Sequence, residues 1–159
     1  MGHLRVSEGK FDQALRFHQE ALKNLRANLG DTHPMTADCM YNVAQDLLRL
    51  GNVEEAKWAP FHETVGGNTY TNVVSDKVYR KLLNDAIKVW GDDPRYEKSA
   101  ARALWRKGKL LEQHFKDENP EEFIRQAMDI RKRVAGPEIK QEKDLKEADW
   151  TKLVPFYSR

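Results

Sequence analysis

Apolar residues in this chain recur mainly at every third or fourth position, the spacing that gathers them on one face of an α-helix. Two segments carry three apolar or small residues at positions i, i+4 and i+7, namely Met40, Ala44 and Leu47 in the first and Leu104, Gly108 and Leu111 in the second. The first segment begins near Pro34, and proline is favoured in the first turn of a helix. The pattern predicts amphipathic helices in an all-α protein.

The hydrophobic pattern also repeats along the chain. The stretch GKFDQA at residues 9–14 returns 42 residues later as GNVEEA at residues 51–56, with an apolar residue two positions after the glycine and an alanine five positions after it. Glycine can end a helix in a tight turn, and alanine lets the next helix pack closely. Each copy therefore predicts a helical hairpin, with turns at Gly9 and Gly51.

The first copy continues to a further small residue, Ala21, and is followed by the segment NLGDTHPMTADCMYNVAQDLLRLGNVEEA. These motifs resemble the tetratricopeptide repeat. The period of 42 residues resembles the kinesin-light-chain type of that repeat, which is also common in fungal proteins. The resemblance implies a superhelix of stacked helical hairpins that binds another protein or a peptide.

The register of the repeat divides the chain into a repeat region, residues 1–136, and a C-terminal extension, residues 137–159. The predicted repeats are about 1–30, 31–91 and 92–136. We expect Asn119 to cap the last repeat helix and Pro120 to open it. The extension resembles the closing segment of fungal tetratricopeptide proteins, which implies a cap over the last helix pair.

An insertion interrupts the second repeat near residues 57–79. Ala21 and its counterpart Ala86 are 65 residues apart, which is 23 more than the period, and the surplus is rich in turn-forming and β-branched residues. We expect this insertion to be irregular. It leaves open an enzyme or small-molecule binder built from Trp58, His62, Glu63 and Tyr70, and it also leaves open a disordered loop.

Composition argues against several other classes of protein. The net charge of +2 gives no global case for nucleic acid, and the apolar runs are far too short for a membrane-spanning helix. The first residues lack the apolar core of a signal peptide, so we expect a cytoplasmic protein. The lone Cys39 excludes an internal disulfide. The histidines lack the spacing of a helical metal pair and no phosphate loop is present, so we expect neither a metal nor a cofactor.

The resemblance also implies which residues line a concave groove, because the first helix of each hairpin faces that groove in the family. The implied groove residues are Tyr41, Asn42, Gln45 and Arg49 around Ala44, and Arg102, Trp105, Arg106 and Lys109 around Gly108. The four basic residues among them would make the groove positive, which suits an acidic or carboxylate-bearing peptide. The alternative is an ordinary solvated basic face.

A non-catalytic scaffold for protein–protein interaction is the function that these features favour, because no group of residues predicts a catalytic site. Only about eight residues precede Gly9, so the first repeat lacks most of its leading helix. We expect the apolar edge left there to permit a homodimer.

Overall fold

The computed structural model of the chain describes residues 2–54, 62–65, 68–71, 76–91, 93–114, 119–135 and 142–154. Most of these residues lie in the helices α1 (Gly2–Ser7), α2 (Phe11–Leu29), α3 (Pro34–Glu54), α4 (Asp76–Trp90), α5 (Glu97–His114), α6 (Pro120–Val134) and α7 (Glu147–Thr151). Short 3-10 turns cover Pro94–Tyr96 and Glu142–Asp144. The predicted all-α class is confirmed, with one β-hairpin as the exception.

Helices α1 to α6 pack in sequence, each against the next one in the chain. Contacts join α1 to α2, α2 to α3, α3 to α4, α4 to α5 and α5 to α6, while α7 contacts α5. Such sequential packing is expected of helical hairpins that stack in a repeat array. The fold is therefore all-α and tetratricopeptide-like, and the exact repeat boundaries stay a prediction.

The predicted turn at Gly9 is present, whereas the one at Gly51 is not. Gly9 has a φ of +72°, a left-handed conformation that favours glycine, and its N–H donates to the Val6 carbonyl at 3.1 Å. Helix α3 instead continues through Gly51 as far as Glu54. A glycine inside a helix costs only about 1 kcal/mol, and no tight turn is needed there because the next helix begins only at Asp76.

The insertion is more regular than expected in the part that the structure describes. Strands β1 (His62–Val65) and β2 (Asn68–Thr71) pair antiparallel, with His62 opposite Thr71 and Val65 opposite Asn68. The β-branched and aromatic residues that argued against a helix are the ones that favour a strand. Helix α4 begins at Asp76, close to the predicted end of the insertion, whose bounds near residues 57–79 stay a prediction.

Prolines open two helices at the expected places. Helix α3 begins at Pro34 and α6 begins at Pro120, directly after Asn119. Asn119 has the extended backbone of a capping residue, but its side chain makes no capping hydrogen bond, contrary to the prediction. Proline suits the first turn because its missing N–H would have had no partner in the helix.

Two hydrophobic clusters hold the helices together. The first joins α2, α3, α4 and α5 through buried side chains that include Leu22, Met40, Leu83 and Trp90. The second joins α5, α6 and the C-terminal segment through Ala101, Trp105, Ala127, Leu145 and Trp150. The apolar faces read from the sequence are thus the faces that the helices bury against each other.

Helices α5 and α6 approach each other closely at Gly108. A Cβ atom at this position would lie 2.5 Å from Cγ1 of Ile124 and 3.1 Å from the carbonyl oxygen of Pro120. Only glycine leaves room for that approach. The small residue in the second helical stripe therefore has a packing role between the two helices of a pair.

Candidate functional site

An open cleft of about 1030 Å³ lies along the helices that carry the predicted groove residues. Its walls come from α1, α2, the first half of α3, the turn Pro94–Tyr96 with the start of α5, and residues Leu153 and Val154. Several wall residues are apolar, and among them Phe17 and Met35 are exposed. Asn42 is the predicted groove residue that lines this cleft.

A smaller cavity of about 70 Å³ adjoins the cleft and is lined mainly by polar side chains. Five predicted residues line it, which are Tyr41, Asn42, Gln45, Arg49 and Arg102. His3 and Val6 of α1 and Glu147 and Thr151 of α7 complete the lining, together with His18 and Asp46. The structure therefore brings the α3 set and Arg102 together around one enclosed space.

Arg102 and Tyr41 form the wall of this cavity between α5 and α3. The guanidinium carbon of Arg102 lies 4.1 Å from the centre of the Tyr41 ring, a cation–π contact, and only 2% of Arg102 is exposed. Burial raises the pKa of Tyr41, so its hydroxyl stays protonated at neutral pH. Both residues are more enclosed than a groove surface requires.

A buried histidine and aspartate, which the sequence interpretation missed, lie beside them. Nδ1 of His18 and Oδ2 of Asp46 are 2.5 Å apart, and both residues are buried. Arg49 donates from Nη1 to the other Asp46 oxygen at 3.3 Å. His18 follows Ala14 and precedes Leu22 on the buried face of α2, so a histidine at an apolar position was the available signal.

Three of the buried polar side chains that line this cavity have atoms without a hydrogen-bond partner among the described residues. These atoms are Nε2 of His18, both amide atoms of Gln45, and Nε and Nη2 of Arg102. Buried polar groups are normally paired, with ordered water or a ligand where protein offers no partner. The cavity is therefore able to hydrogen-bond a small polar group or water.

Two of the three remaining predicted residues, Trp105 and Arg106, contact the C-terminal helix α7. The rings of Trp105 and Trp150 stack, with centres 5.4 Å apart and planes inclined by 22°. Arg106 donates a hydrogen bond to Glu147 of α7 at 2.9 Å. Lys109 donates to Glu112 on its own helix, also at 2.9 Å. Trp105, Arg106 and Lys109 do not line the cleft or the cavity. A single groove that includes all eight residues stays a prediction.

The alternative site in the insertion depends on side chains outside those that the structure describes. Glu63 and Tyr70 are cross-strand partners in the backbone of the β-hairpin, while Trp58 lies outside the described residues. Within the described residues, no group of three or more His, Cys, Asp and Glu side chains is placed to hold a metal ion. No described helix is long and apolar enough to cross a membrane, and the cytoplasmic location stays a prediction.

Comparison with known proteins agrees with this architecture. Residues 1–57 match the family model of the tetratricopeptide repeat. The chain is also 26% identical to the protein KINESIN LIGHT CHAIN-RELATED 1 of Arabidopsis thaliana over 121 residues, which cover 64% of this chain and 20% of that protein. The chain thus spans about a fifth of the length of this relative. Residues 1–57 are thus similar to tetratricopeptide repeats, and the chain is similar to a kinesin-light-chain-related protein.

Proposed function

We propose that this chain is a non-catalytic scaffold that binds a peptide or a segment of a partner protein in the cleft between its helices. Tetratricopeptide repeats generally mediate protein–protein interaction, and the match over residues 1–57 supports that role here. The observation that carries the proposal is the open cleft of about 1030 Å³ with exposed apolar wall residues. A cleft of this size exceeds what most small ligands fill, whereas an extended peptide would occupy its length.

The charge next to the cleft supports an acidic partner. Arg49 and Arg102 line the adjoining cavity, and Arg106 forms an ion pair with Glu147, which also lines it. Asp46 and Glu147 already balance part of this positive charge. A carboxylate of a bound peptide would accept hydrogen bonds from these guanidinium groups and would balance the rest of their positive charge.

A pair of matched variants tests the cleft. Met35 lines the cleft and is 56% exposed, whereas Val78 on α4 lies outside its wall and is 47% exposed. Met35→Glu should abolish capture of specific partner proteins from lysate. It should also weaken binding of the peptide segment that is mapped within a captured partner, as measured by calorimetry. Val78→Glu introduces the same charge on a similarly exposed apolar residue and should leave both unchanged.

The outcomes separate the cleft from the rest of the surface. If Met35→Glu alone loses partner binding while its helical circular dichroism stays intact, peptide binding in the cleft is supported. Equal binding by the two variants would contradict the proposed site, and a chain with no specific partner would contradict the scaffold function itself. A homodimer through the N-terminal edge is a separate proposal, which sedimentation velocity at rising concentration would test.

A further inference from the structure

The guanidinium group of Arg102 is buried in the wall of the small polar cavity. Only 2% of Arg102 is exposed, and its guanidinium carbon lies 4.1 Å from the centre of the Tyr41 ring. Within the described residues, no Asp or Glu side chain forms an ion pair with Arg102. A buried charge is costly unless a counter-charge and hydrogen bonds accompany it. The position of Arg102 therefore favours an anion beside it.

The carboxylates around the cavity are already bound by other arginines. Asp46 accepts a hydrogen bond from Arg49 at 3.3 Å, and Glu147 accepts one from Arg106 at 2.9 Å. Asp46 and Glu147 are the only carboxylates among the described residues of the cavity lining. Three guanidinium groups thus share two carboxylates here. The excess is one positive charge, that of Arg102, which one monovalent anion would balance.

The atoms of Arg102 that lack partners are the ones that suit a carboxylate. Nε and Nη2 are buried and have no hydrogen-bond partner in the described part of the chain. These two nitrogens lie on the same edge of the planar guanidinium group, and their N–H groups match the two oxygens of a carboxylate. A carboxylate on this edge would satisfy both donors and neutralise the charge.

The other side of the cavity supplies a further donor and sets a limit on size. Gln45 of α3 lines the cavity, is 3% exposed, and has no partner for its amide nitrogen Nε2 among the residues described. The volume of about 70 Å³ is far below the roughly 300 Å³ at which pockets for drug-sized ligands begin. The cavity therefore suits an anion of a few non-hydrogen atoms and is too small for a nucleotide or a sugar phosphate.

We propose that this cavity binds a free monovalent carboxylate of one or two carbon atoms, such as formate or acetate. The ion accepts two parallel hydrogen bonds from Arg102 and a third from Gln45. It links α5 to α3 and supplies the counter-charge that Arg102 needs. The site does not depend on the proposed peptide partner, because the cavity and the open cleft are separate spaces.

NMR of the arginine side chains tests the site in the full chain. The Nε–H signal of Arg102 is followed while sodium formate replaces sodium chloride at constant ionic strength, with no peptide present. We expect a saturable shift of this signal, because the bound carboxylate accepts a hydrogen bond from Nε. A shift that does not saturate, or no shift beyond that in chloride, would overturn the proposal.

Two arginine variants separate this site from a general effect of charge. Arg102→Lys keeps the positive charge but loses the paired donors, so formate should bind about tenfold or more weakly. Arg125→Lys makes the same change on the exposed face of α6, where Arg125 pairs with Glu122, and should bind formate as the wild type does. Binding is followed through the side-chain NH2 signals of Gln45, which both variants retain. Equal affinity of Arg102→Lys and the wild type would contradict the site.

The size of the probe decides the case in which Arg102→Lys does not fold. The wild-type chain is then titrated with N-acetylglycine, which carries the same carboxylate on a peptide-like group. Because a cavity of about 70 Å³ has no room for that group, N-acetylglycine should shift the Arg102 signal about tenfold or more weakly than formate. Equal or tighter binding of N-acetylglycine would refute a site for a free ion and would assign the carboxylate to the end of a peptide.

Discussion

Replacing Gly108 with alanine tests how closely α5 and α6 approach each other. The new Cβ would lie 2.5 Å from Cγ1 of Ile124 and 3.1 Å from the carbonyl oxygen of Pro120, well inside the contact distance of about 3.5–4.0 Å. Overpacking of this kind typically costs about 1–3 kcal/mol. Alanine returns about 1 kcal/mol through its higher helix propensity. We therefore expect Gly108→Ala to lower the free energy of unfolding by up to about 2 kcal/mol.

Urea unfolding followed by far-UV circular dichroism measures this change, and a double-mutant cycle with Ile124→Ala identifies its cause. Removing the Ile124 side chain beyond Cβ removes the atom that the new methyl group meets first. The destabilisation by Gly108→Ala should then shrink, because the two effects are coupled. If Gly108→Ala stabilises the wild-type chain, or costs the same with and without Ile124, the close approach of α5 and α6 is refuted.

Two further predictions concern Glu147 and Cys39. Glu147→Gln leaves Arg106 without its anionic partner and should strengthen binding of an acidic peptide about fivefold, as measured by calorimetry. The control Glu122→Gln breaks an exposed pair with Arg125 on α6 and should leave the affinity unchanged. An equal gain in both variants would indicate an effect of net charge alone. Burial raises the pKa of the Cys39 thiol from 9.0 to about 11, so its reaction with Ellman's reagent at pH 8 should be about a hundredfold slower than that of an ordinary thiol. Ordinary reactivity before urea is added would contradict the buried position of Cys39.

Local rules predicted much of the helical framework. Pro34 and Pro120 mark helix starts because proline is suited to a first helical turn, and Gly9 marks a turn because its φ is positive. The stripe of Met40, Ala44 and Leu47 is buried as its spacing indicated. Such features depend on residues a few positions apart, so a single sequence contains the information that fixes them.

The features that were missed depend on contacts between distant segments. His18 meets Asp46 across two helices, and Glu147 reaches back to Arg106, so neither pair is visible in a window along the chain. The groove positions came from the family resemblance. The resemblance indicates which face of each helix points toward the groove, but it does not indicate which other segment of the chain packs on that face. Helix α7 covers Trp105 because Trp150 finds its buried position there, a result of tertiary packing.

The position of the insertion has a consequence for how this fold can change over evolutionary time. Helices α3 and α4 pack against each other although residues 55–75 separate them, and their buried faces supply the contacts. Among the described residues, the two helices are thus held together by their own buried side chains. Lineages could gain, lengthen or discard this stretch while the flanking helices keep their partners, so length variation among descendants of one ancestral repeat should concentrate there.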